Sequence, residues 1–304
     1  MPLINVVNQK NIWGKLYVVA TPLGNLEDIT LRAKNVLSKV AWIACEDTRH
    51  SVRLLNFMDI KNKLIALHAH NENEEGVLEN LIHKLKQGES GAIISDAGTP
   101  LISDPGLPLV RLAHQEGIQV IPIPGASALI AALSAMGIGC DKFTFFGFLP
   151  VKSIQRQKIL QSLVKNAETL VFYEAPHRVQ EVISEMANIF GLTRVAGVAR
   201  EITKLYEQIV VKPLGELEAD IQDKHIPLQG EFVLVVSGCK LKPQEAIQEQ
   251  QTLSIDLDNL LSALISEISL KQAVNLVKNM TGLSKNLLYD RAVKLTQKPD
   301  NPEA

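Results

Sequence analysis

Two apolar runs between Gly91 and Ala128 constrain the fold of this chain more than any other feature. Residues 92–95 and 119–123 are typical of buried strands, and each breaks at once into glycine, proline, aspartate, serine and threonine. Glycine lets a backbone approach a ligand closely, and the helix that starts near Ser127 presents N–H groups without intrahelical partners. Two consecutive turns of this kind favour a ligand cleft over a pair of ordinary tight turns.

Strands and helices alternate through the first half of the chain. Residues 15–20, 40–45 and 64–67 are further strand candidates, and a helix with Thr30 as its N-cap follows the first of them. Such alternation is typical of a parallel sheet with right-handed crossovers. The polar segments after the strands should therefore meet at one edge of the sheet, where open α/β sheets bind ligands. These segments are TPLGN, EDTR, HAHN, SDAGTP and PGAS.

The second half of the chain predicts another α/β lobe, with a mixed sheet. Its strand candidates lie at residues 143–148, 169–173, 194–199, 207–211 and 230–237, and the close spacing of the last ones favours antiparallel pairing. A polar, glutamine-rich segment then leads to short amphipathic helices. The predicted organisation is a leader at 1–14, lobes at 15–123 and 124–239, a linker at 240–253, a helical module at 254–297 and a tail at 298–304.

The C-terminal helices carry a basic face. From Lys271 to Lys298 the chain has six basic residues and one acid, Asp290. A small helix-turn-helix-like module with such a face suits nucleic acid as a partner. A small dimerisation bundle explains the same pattern.

The composition is that of an ordinary globular enzyme, with 46% hydrophobic and 21% charged residues among 304. The net charge of -2 argues against a wholesale nucleic-acid coat, but basic segments at 31–63 and 151–167 offer local patches. The widely spaced Cys45, Cys140 and Cys239 indicate buried thiols in a reducing compartment. No signal peptide or bilayer-spanning run is evident, so we expect a cytoplasmic protein without a membrane partner.

None of the familiar strong catalytic signatures is present. The chain lacks a P-loop, a nucleophile elbow, a His-Glu-x-x-His helix and a Cys-x-x-Cys pair, and no spacing requires a metal. The turn TPLGN lacks the three-glycine spacing of a dinucleotide site. The remaining feature is a cleft floored by small residues, which suits an adenosine-like ligand.

Four groups of polar residues at strand ends are candidates for chemistry. Each has a structural explanation as well, since an acid can cap the next helix, a histidine can start one, and Glu201 can pair with Lys204. Four such groups together nevertheless favour a functional site. They are Glu46, Asp47 and Arg49; His68 and its neighbours; Glu174, His177 and Arg178; and Arg200, Glu201 and Lys204.

The chain resembles the tetrapyrrole-methylase-like superfamily and, within it, the ribosomal RNA small subunit methyltransferase I branch of cytidine 2'-O-methyltransferases. The resemblance covers residues 15–240, and EDTR and EAPHR are its most specific parts. It implies two α/β lobes with S-adenosylmethionine bound in the cleft between them, a homodimer, and the small ribosomal subunit or its RNA as partner. The segments that carry it are VATPLGNLEDITLRA, EDTRHS, SDAGTPLISDPG, PIPGASA, FYEAPHR, AREITKLYE and GEFVLVVSG.

Cofactor contacts implied by the resemblance fall on the glycine-rich turns and on the second lobe. The first turn departs from the superfamily's usual Gly-x-Gly-Pro-Gly, as it does in the ribosomal branch, which speaks against a porphyrinoid substrate. The implied contacts are Leu23, Ala97, Gly98, Thr99, Ile102, Ser127, Ala128, Glu174 and Ile202.

Methyl transfer to a ribose hydroxyl requires in-line alignment and removal of the hydroxyl proton. We expect Asp47 or Glu46 to act as the base or to orient the hydroxyl, and we rank Asp47 and Arg49 first because their turn should face the cofactor. Arg49, Arg178 and Lys204 are expected to hold phosphates or to stabilise the developing alkoxide. RNA contacts are expected at Arg53, His68, His177 and Arg200.

Three rival functions remain open at this point. They are a small-molecule methylase of the corrinoid or porphyrinoid type, a diphthamide-type protein methylase, and a noncatalytic ribosome-binding protein.

Overall fold

The computed structural model describes residues 13–68, 72, 76–239, 257–281 and 283–296. The chain divides into two compact units, Met1–Cys239 and Lys240–Ala304. Residues 1–12 of the predicted leader, the predicted linker and the predicted tail lie outside the described residues. Within the ranges that are described, no helix is long and apolar enough to cross a membrane.

The first lobe is a parallel sheet covered by helices on both faces, which confirms the fold predicted from the alternating pattern. Its elements are β1 (Leu16–Val19), a 3-10 turn (Leu26–Asp28), α1 (Leu31–Leu37), β2 (Trp42–Cys45), α2 (Thr48–Phe57), β3 (Leu64–Ala66), α3 (Val77–Lys86), β4 (Gly91–Ile94), α4 (Leu107–Gln115) and β5 (Val120–Ile123). The strands lie in the order β3-β2-β4-β1-β5, with parallel pairing. Helices α1 and α2 pack on one face and α3 and α4 on the other.

Local sequence explains how these elements start and pack. The Thr30 hydroxyl accepts a hydrogen bond from the Ala33 N–H at 3.0 Å, which confirms Thr30 as the N-cap of α1. Gly91 opens β4 against the indole of Trp42, where an added Cβ atom would lie 2.1 Å from a ring carbon. A larger residue at 91 would displace a tryptophan that is 1% exposed, so the sheet requires glycine there.

The second lobe contains the predicted mixed sheet. Its elements are α5 (Ala128–Met136), β6 (Phe143–Phe148), α6 (Ser153–Ser162), β7 (Thr169–Glu174), α7 (Val179–Phe190), β8 (Val195–Arg200), β9 (Gln208–Pro213), α8 (Leu214–Gln222) and β10 (Phe232–Val236). The order is β6-β7-β10-β8-β9; β6 and β7 are parallel and the other neighbours are antiparallel. Helix α5 packs on one face, and α6, α7 and α8 pack on the other.

Arg156 is buried and ion-paired, so the basic segment 151–167 is less basic at the surface than the sequence indicates. Its guanidinium donates from Nε and Nη2 to the two carboxylate oxygens of Glu185, and Nη2 also lies 2.6 Å from Glu181 Oε1. These contacts join α6 to α7. Burial opposes the charge on Glu185, but the hydrogen bonds from Arg156, Ser153 and Gln157 and the charge of Arg156 together outweigh it and lower the pKa of Glu185.

The described part of the C-terminal unit is helical, which confirms the predicted helical module. Its elements are α9 (residues 257–267), α10 (Leu270–Thr281) and α11 (Lys285–Thr296). The Ser269 N–H donates to the Gln272 side chain at 3.3 Å, as expected for a capping pair before α10. The unit has its own apolar core, made of Leu261, Val274, Val277, Leu288 and Ala292.

The cysteines only partly follow the prediction of buried thiols. Cys45 is buried, and burial raises the pKa of its thiol. Cys140 is exposed and Cys239 is half-buried. Cys140 lies between the end of α5 and the start of β6, where its apolar neighbours in sequence do not cover it.

Candidate active site

A cavity of about 350 Å³ lies between the two lobes, at the carboxyl ends of the first lobe's strands. This volume falls in the range of small-molecule sites. The cavity brings together every residue that the sequence nominates for cofactor contact, although their role remains a prediction. These residues are Leu23, Ala97, Gly98, Thr99, Ile102, Ser127, Ala128, Glu174 and Ile202.

The floor of the cavity is held in place by hydrogen bonds between strand-end turns. Thr21 and Gly98 exchange backbone hydrogen bonds of 2.8 and 3.1 Å, and the Thr21 hydroxyl donates to the Ser95 carbonyl at 3.1 Å. The Thr99 hydroxyl donates to the Ala126 carbonyl at 3.0 Å. Because these bonds lie inside the protein, the floor keeps its shape without a ligand.

The loop that follows this floor adopts an unusual backbone. Leu101 and Ser103 have φ values of 73° and 74°, in the left-handed region that side chains disfavour. They flank Ile102, which lines the cavity. The Ser103 hydroxyl reaches the second lobe, 3.2 Å from where a Cβ on Gly147 would stand. The loop therefore joins the lobes while presenting Ile102 to the cavity.

Glu174 forms the opposite wall and leaves one oxygen without a partner. Its side chain is fully buried; Oε1 accepts from the Ala175 N–H at 2.8 Å and lies 3.2 Å from Arg178 Nε. Oε2 has no hydrogen-bond partner among the described residues. Burial raises the pKa of this carboxyl, although the Ala175 N–H and Arg178 oppose the shift. A buried oxygen of this kind is suited to a donor on a ligand.

Arg178 lies behind Glu174. Its Nη2 donates to the carbonyls of Leu149 and Pro150 at 2.8 and 3.0 Å. We predicted a catalytic role for Arg178. Its contacts are those of a residue that positions Glu174.

Asp47 and Arg49 bind each other, and neither lines the cavity. Asp47 is the N-cap of α2, where its Oδ1 accepts from the Arg49 N–H at 2.8 Å and its Oδ2 lies 2.7 Å from Arg49 Nη2. These hydrogen bonds from Arg49 lower the pKa of Asp47. Asp47 therefore acts as a helix cap. We expected the turn to direct Asp47 and Arg49 towards the cofactor, but neither side chain lines the large cavity.

Lys204 closes one side of the cleft. Its Nζ lies 2.9 Å from Glu201 Oε1 and 3.1 Å from Glu231 Oε2, and Glu231 lines the cavity. Its stem lies against Gly24, where an added Cβ would come within 2.2 Å of Lys204 Cγ. The Asn25 N–H donates to the Thr203 hydroxyl at 3.1 Å. We call these contacts between 24–25 and 203–204 the interlobe strap.

The residues predicted to contact RNA fall into different environments. Arg200 is 7% exposed, and its guanidinium donates to the carbonyls of Gln229 (2.6 Å) and Tyr206 (3.0 Å), so it has little surface to offer RNA. Arg53 and His177 are exposed. His68 is half-buried and lies near Glu46. Burial and the charge of Asp96 raise the pKa of Glu46, and His68 acts in the opposite direction.

A second cavity of about 220 Å³ adjoins the first and shares Leu23 with it. His50 and Arg53, three residues apart on α2, are exposed at this cavity, and Asp96 also lines it. An arginine and a histidine, both able to donate hydrogen bonds, suit a phosphate-bearing ligand beside a cavity of this size.

Sequence reasoning missed Asp104, which lines the large cavity. Burial raises its pKa to about 6, with further contributions from the negative charges of Glu46 and Asp96. A small cleft lined by Glu46, Ser95 and Asp104 shares Asp104 with the large cavity and Ser95 with the second one. The second Ser-Asp pair in SDAGTPLISDPG was the available signal.

Comparison with known families matches both units. Residues 15–218 match the family described as Tetrapyrrole (Corrin/Porphyrin) Methylases, and residues 251–296 match the RsmI C-terminal HTH domain. A relative from Pseudomonas aeruginosa, named ribosomal RNA small subunit methyltransferase I, is 47% identical over 92% of this chain and 97% of its own. A relative of the same name from Escherichia coli O157:H7 is 43% identical over 93% of this chain and 96% of its own.

Solved structures share the fold of the two lobes. A cobalamin biosynthetic enzyme, cobalt precorrin-4 methyltransferase, superposes with a TM-score of 0.54 at 17% identity, covering 73% of this chain and 94% of its own. A uroporphyrin-III C-methyltransferase from Thermus thermophilus, complexed with S-adenosylhomocysteine, gives a TM-score of 0.51 at 16% identity, covering 74% and 97%. At these identities the likeness concerns the fold alone.

Proposed function

The chain belongs to the tetrapyrrole methylase family and, within it, to the ribosomal RNA small subunit methyltransferase I group, and on that basis we propose that it methylates 16S ribosomal RNA with S-adenosylmethionine. The finer proposal is transfer to the 2'-oxygen of a cytidine ribose. We also propose that the protein is cytoplasmic, because its proposed substrate is ribosomal RNA. We further propose that the protein works as a homodimer.

The large cavity supports S-adenosylmethionine as the methyl donor. The main support for this proposal is that one cavity is lined by all nine residues predicted to contact the cofactor, of which Leu23 is the first and Ile202 the last. Small side chains such as Gly98 and Ala128 leave room for the ligand, and Glu174 Oε2 offers a buried acceptor to a ligand donor. A solved neighbour of the same fold is complexed with S-adenosylhomocysteine.

The residues around the cavity bind and align the reactants. Bound S-adenosylmethionine supplies a methyl group activated by a positively charged sulfur. The ligand is restricted in orientation by the floor at Thr21 and Gly98 and by the wall at Glu174. This restriction favours the in-line geometry that the attack requires. Lys204, whose stem packs against Gly24 in the interlobe strap, holds Glu231 at the edge of the cavity.

The second cavity supports placement of the acceptor nucleotide next to the methyl donor. Arg53 and His50 on α2 are suited to hold RNA phosphates at its edge, while Arg49, paired with Asp47, is the neighbouring exposed cation on the same helix. In this proposal Asp47 fixes Arg49 rather than acting as the base. His177, exposed before α7, remains a proposed RNA contact.

The decisive experiment is methyl transfer with labelled S-adenosylmethionine and the full-length protein. Small ribosomal subunits, free ribosomal RNA and uroporphyrinogen III are offered in parallel, and labelled RNA is mapped by mass spectrometry. We expect label in one cytidine of the small-subunit RNA, with the adjacent phosphodiester resistant to alkali because the 2'-oxygen is methylated. Label only in the tetrapyrrole would favour the corrinoid-type rival. Binding to subunits without any label would favour the noncatalytic one.

Arg53 provides a test of the acceptor site. Arg53→Gln should weaken binding to small subunits and reduce the slope of log affinity against log salt concentration by about one, because one phosphate contact is lost. The matched control is Arg32→Gln, an exposed arginine of α1 that lines neither cavity. Equal effects in both variants would contradict the assignment of the second cavity to RNA.

A further inference from the structure

The acidic residues that line the large cavity differ in the groups that contact their carboxylates. Glu231 is bound by Lys204, and Glu174 accepts from the Ala175 N–H with Arg178 behind it. Asp104 instead faces the Ser95 hydroxyl and the negative charges of other acids. Among the three acids that line the described cavity wall, Asp104 is therefore the one whose carboxyl is not held by a basic side chain.

Asp104 lies in the wall of the large cavity and faces Ser95, a residue of the second cavity. It follows the left-handed residues Leu101 and Ser103 in the loop between β4 and α4. The small cleft that it shares with Glu46 and Ser95 adjoins the large cavity through Asp104 and the second cavity through Ser95. Asp104 thus lines the cavity assigned to the methyl donor, and the serine that it faces lines the cavity assigned to the acceptor.

We propose that Asp104 is the general base that accepts the proton of the ribose hydroxyl during methyl transfer. This inference rests on the proposed function. In the step, the ribose oxygen forms a bond to the methyl carbon while the carbon–sulfur bond breaks. The electron pair of that bond stays on sulfur and cancels its positive charge, and the hydroxyl proton moves to a carboxylate oxygen of Asp104.

The surroundings of Asp104 tune it for this task. Burial raises its pKa to about 6, and the charges of Glu46 and Asp96 contribute to the shift. A base titrating near the working pH combines a large ionised fraction with adequate affinity for the proton. Tyr173 faces Asp104 from the second lobe, and His68 lies near Glu46.

Asp47 has the opposite setting. Its hydrogen bonds with Arg49 lower its pKa, which makes it a weak proton acceptor. The sequence ranked Asp47 first as the base and did not name Asp104, whereas the contacts of the two aspartates favour Asp104.

The test combines a pH profile with measurements that do not depend on turnover. Single-turnover methyl transfer to small subunits is followed from pH 5 to 9, and the affinity for S-adenosylmethionine is measured by calorimetry. We expect the wild-type rate to rise with pH and to level off above a midpoint near 6, because Asp104 must be ionised. Asp104→Asn should lose about 100- to 10,000-fold in rate and the pH dependence with it, while its affinity for S-adenosylmethionine stays within about threefold.

A direct measurement of the carboxyl accompanies the kinetics. Carbon-13 NMR of labelled aspartate in the ligand-free protein should show a carboxyl that titrates near pH 6 and is missing from Asp104→Asn. Glu46→Gln should move both this titration and the kinetic midpoint to lower pH by about half a unit or more, because a neighbouring negative charge is removed. The matched control is Asp223→Asn, an exposed aspartate after α8, which should leave rate and midpoint unchanged.

The possible failures can be told apart. If the wild-type protein labels no small-subunit RNA, the proposed function fails. If wild type transfers methyl and Asp104→Asn keeps the rate and the midpoint, the assignment of Asp104 fails and the function stands. Should Asp104→Asn not fold, Asp104→Glu assigns the labelled aspartate signal in its place, and Glu46→Gln decides: an unmoved kinetic midpoint beside a shifted Asp104 titration overturns the proposal.

Discussion

Glu174 is the residue at which stability and ligand binding oppose each other. Its carboxyl is buried with one oxygen unpartnered, and burial raises its pKa. Ionisation of Glu174 therefore costs folding free energy as pH rises through the folded-state pKa, because the unfolded carboxyl ionises more readily. The same unpartnered oxygen is available to a ligand donor.

Glu174→Gln should separate these two effects. The glutamine amide keeps an acceptor for the Ala175 N–H but carries no charge, so the ligand-free variant should have a higher Tm than wild type at pH 8. The gain should be about 2–4 °C if about 1 kcal/mol is recovered, and it should shrink at pH 5, where the wild-type carboxyl is more protonated. Affinity for S-adenosylmethionine should fall about tenfold or more, because a charged acceptor is lost.

Scanning calorimetry and ligand titration check this prediction. Glu216→Gln, an exposed glutamate in the first turn of α8, is the matched control and should change Tm equally at both pH values. A Glu174→Gln protein with unchanged affinity would contradict a ligand contact at Glu174.

Residues inside a local motif could be predicted, but residues defined by distant neighbours could not. Thr30 was identified as an N-cap because capping depends on a few adjacent residues. The pKa of Asp104 depends first on its burial in the folded chain and then on Glu46 and Asp96, which follow separate strands. We predicted an RNA contact at Arg200, but its guanidinium donates to the carbonyls of Gln229 and Tyr206 in the folded chain.

At the scale of elements, the interlobe strap depends on a glycine. An added Cβ at Gly24 would lie 2.2 Å from Lys204 Cγ, so Gly24→Ala should push the lysine stem away and weaken its contacts with Glu201 and Glu231. We expect the affinity for S-adenosylmethionine to fall and its dissociation to speed up, because this side of the cleft opens more readily. Stopped-flow fluorescence measures the dissociation rate.

Gly139→Ala is the control for the strap. Nothing lies within 4 Å of a Cβ added at Gly139, and its φ is not in the left-handed region. If both alanine variants release ligand at the wild-type rate, the strap does not control access to the cavity.

The contact between α6 and α7 depends on a buried ion pair. Arg156→Met should destabilise the protein by about 3–5 kcal/mol, because the partly buried Glu185 carboxylate loses the partner that offsets its desolvation. Urea denaturation measures the loss. Lys158→Met, on the same helix but exposed, should change stability by less than about 0.5 kcal/mol. Arg156→Met combined with Glu185→Met should recover part of the loss; no recovery would contradict a charge-based cause.

Helices and strands were largely predictable as elements, whereas their partners were not. The apolar period of each segment shows whether it suits a strand or a helix. The order β3-β2-β4-β1-β5 depends on which crossover passes over which strand, and no single segment encodes that. The burial of Arg156 has the same origin, since its partner Glu185 lies on the next helix.

At the scale of the whole molecule, the two units have separate cores. The described C-terminal helices pack around Leu261, Val274 and Leu288, while the cofactor cavity is built entirely from residues of Met1–Cys239. Truncation after Cys239 should therefore leave the affinity for S-adenosylmethionine within about threefold of wild type, because binding free energy is local to the cavity. If the basic helices contact RNA, methylation of small subunits should fall at least about tenfold.

Calorimetry and the labelled transfer assay test this division. A truncated protein that methylates small subunits as fast as the full chain would contradict an RNA-binding role for the helices. A truncated protein that loses ligand affinity would show that the cavity depends on the second unit.

The left-handed residues in the loop before Asp104 have a consequence for how such a sequence evolves. Leu101 and Ser103 hold φ values that glycine adopts freely, at a cost of roughly 1 kcal/mol or more each. Their side chains contact the rest of the fold, Leu101 beside Gly106 and Ser103 beside Gly147. Glycine at 101 or 103 would release the backbone cost but also remove the side chain that makes the contact, so laboratory selection for heat resistance should keep glycine only where the released strain exceeds the lost contact.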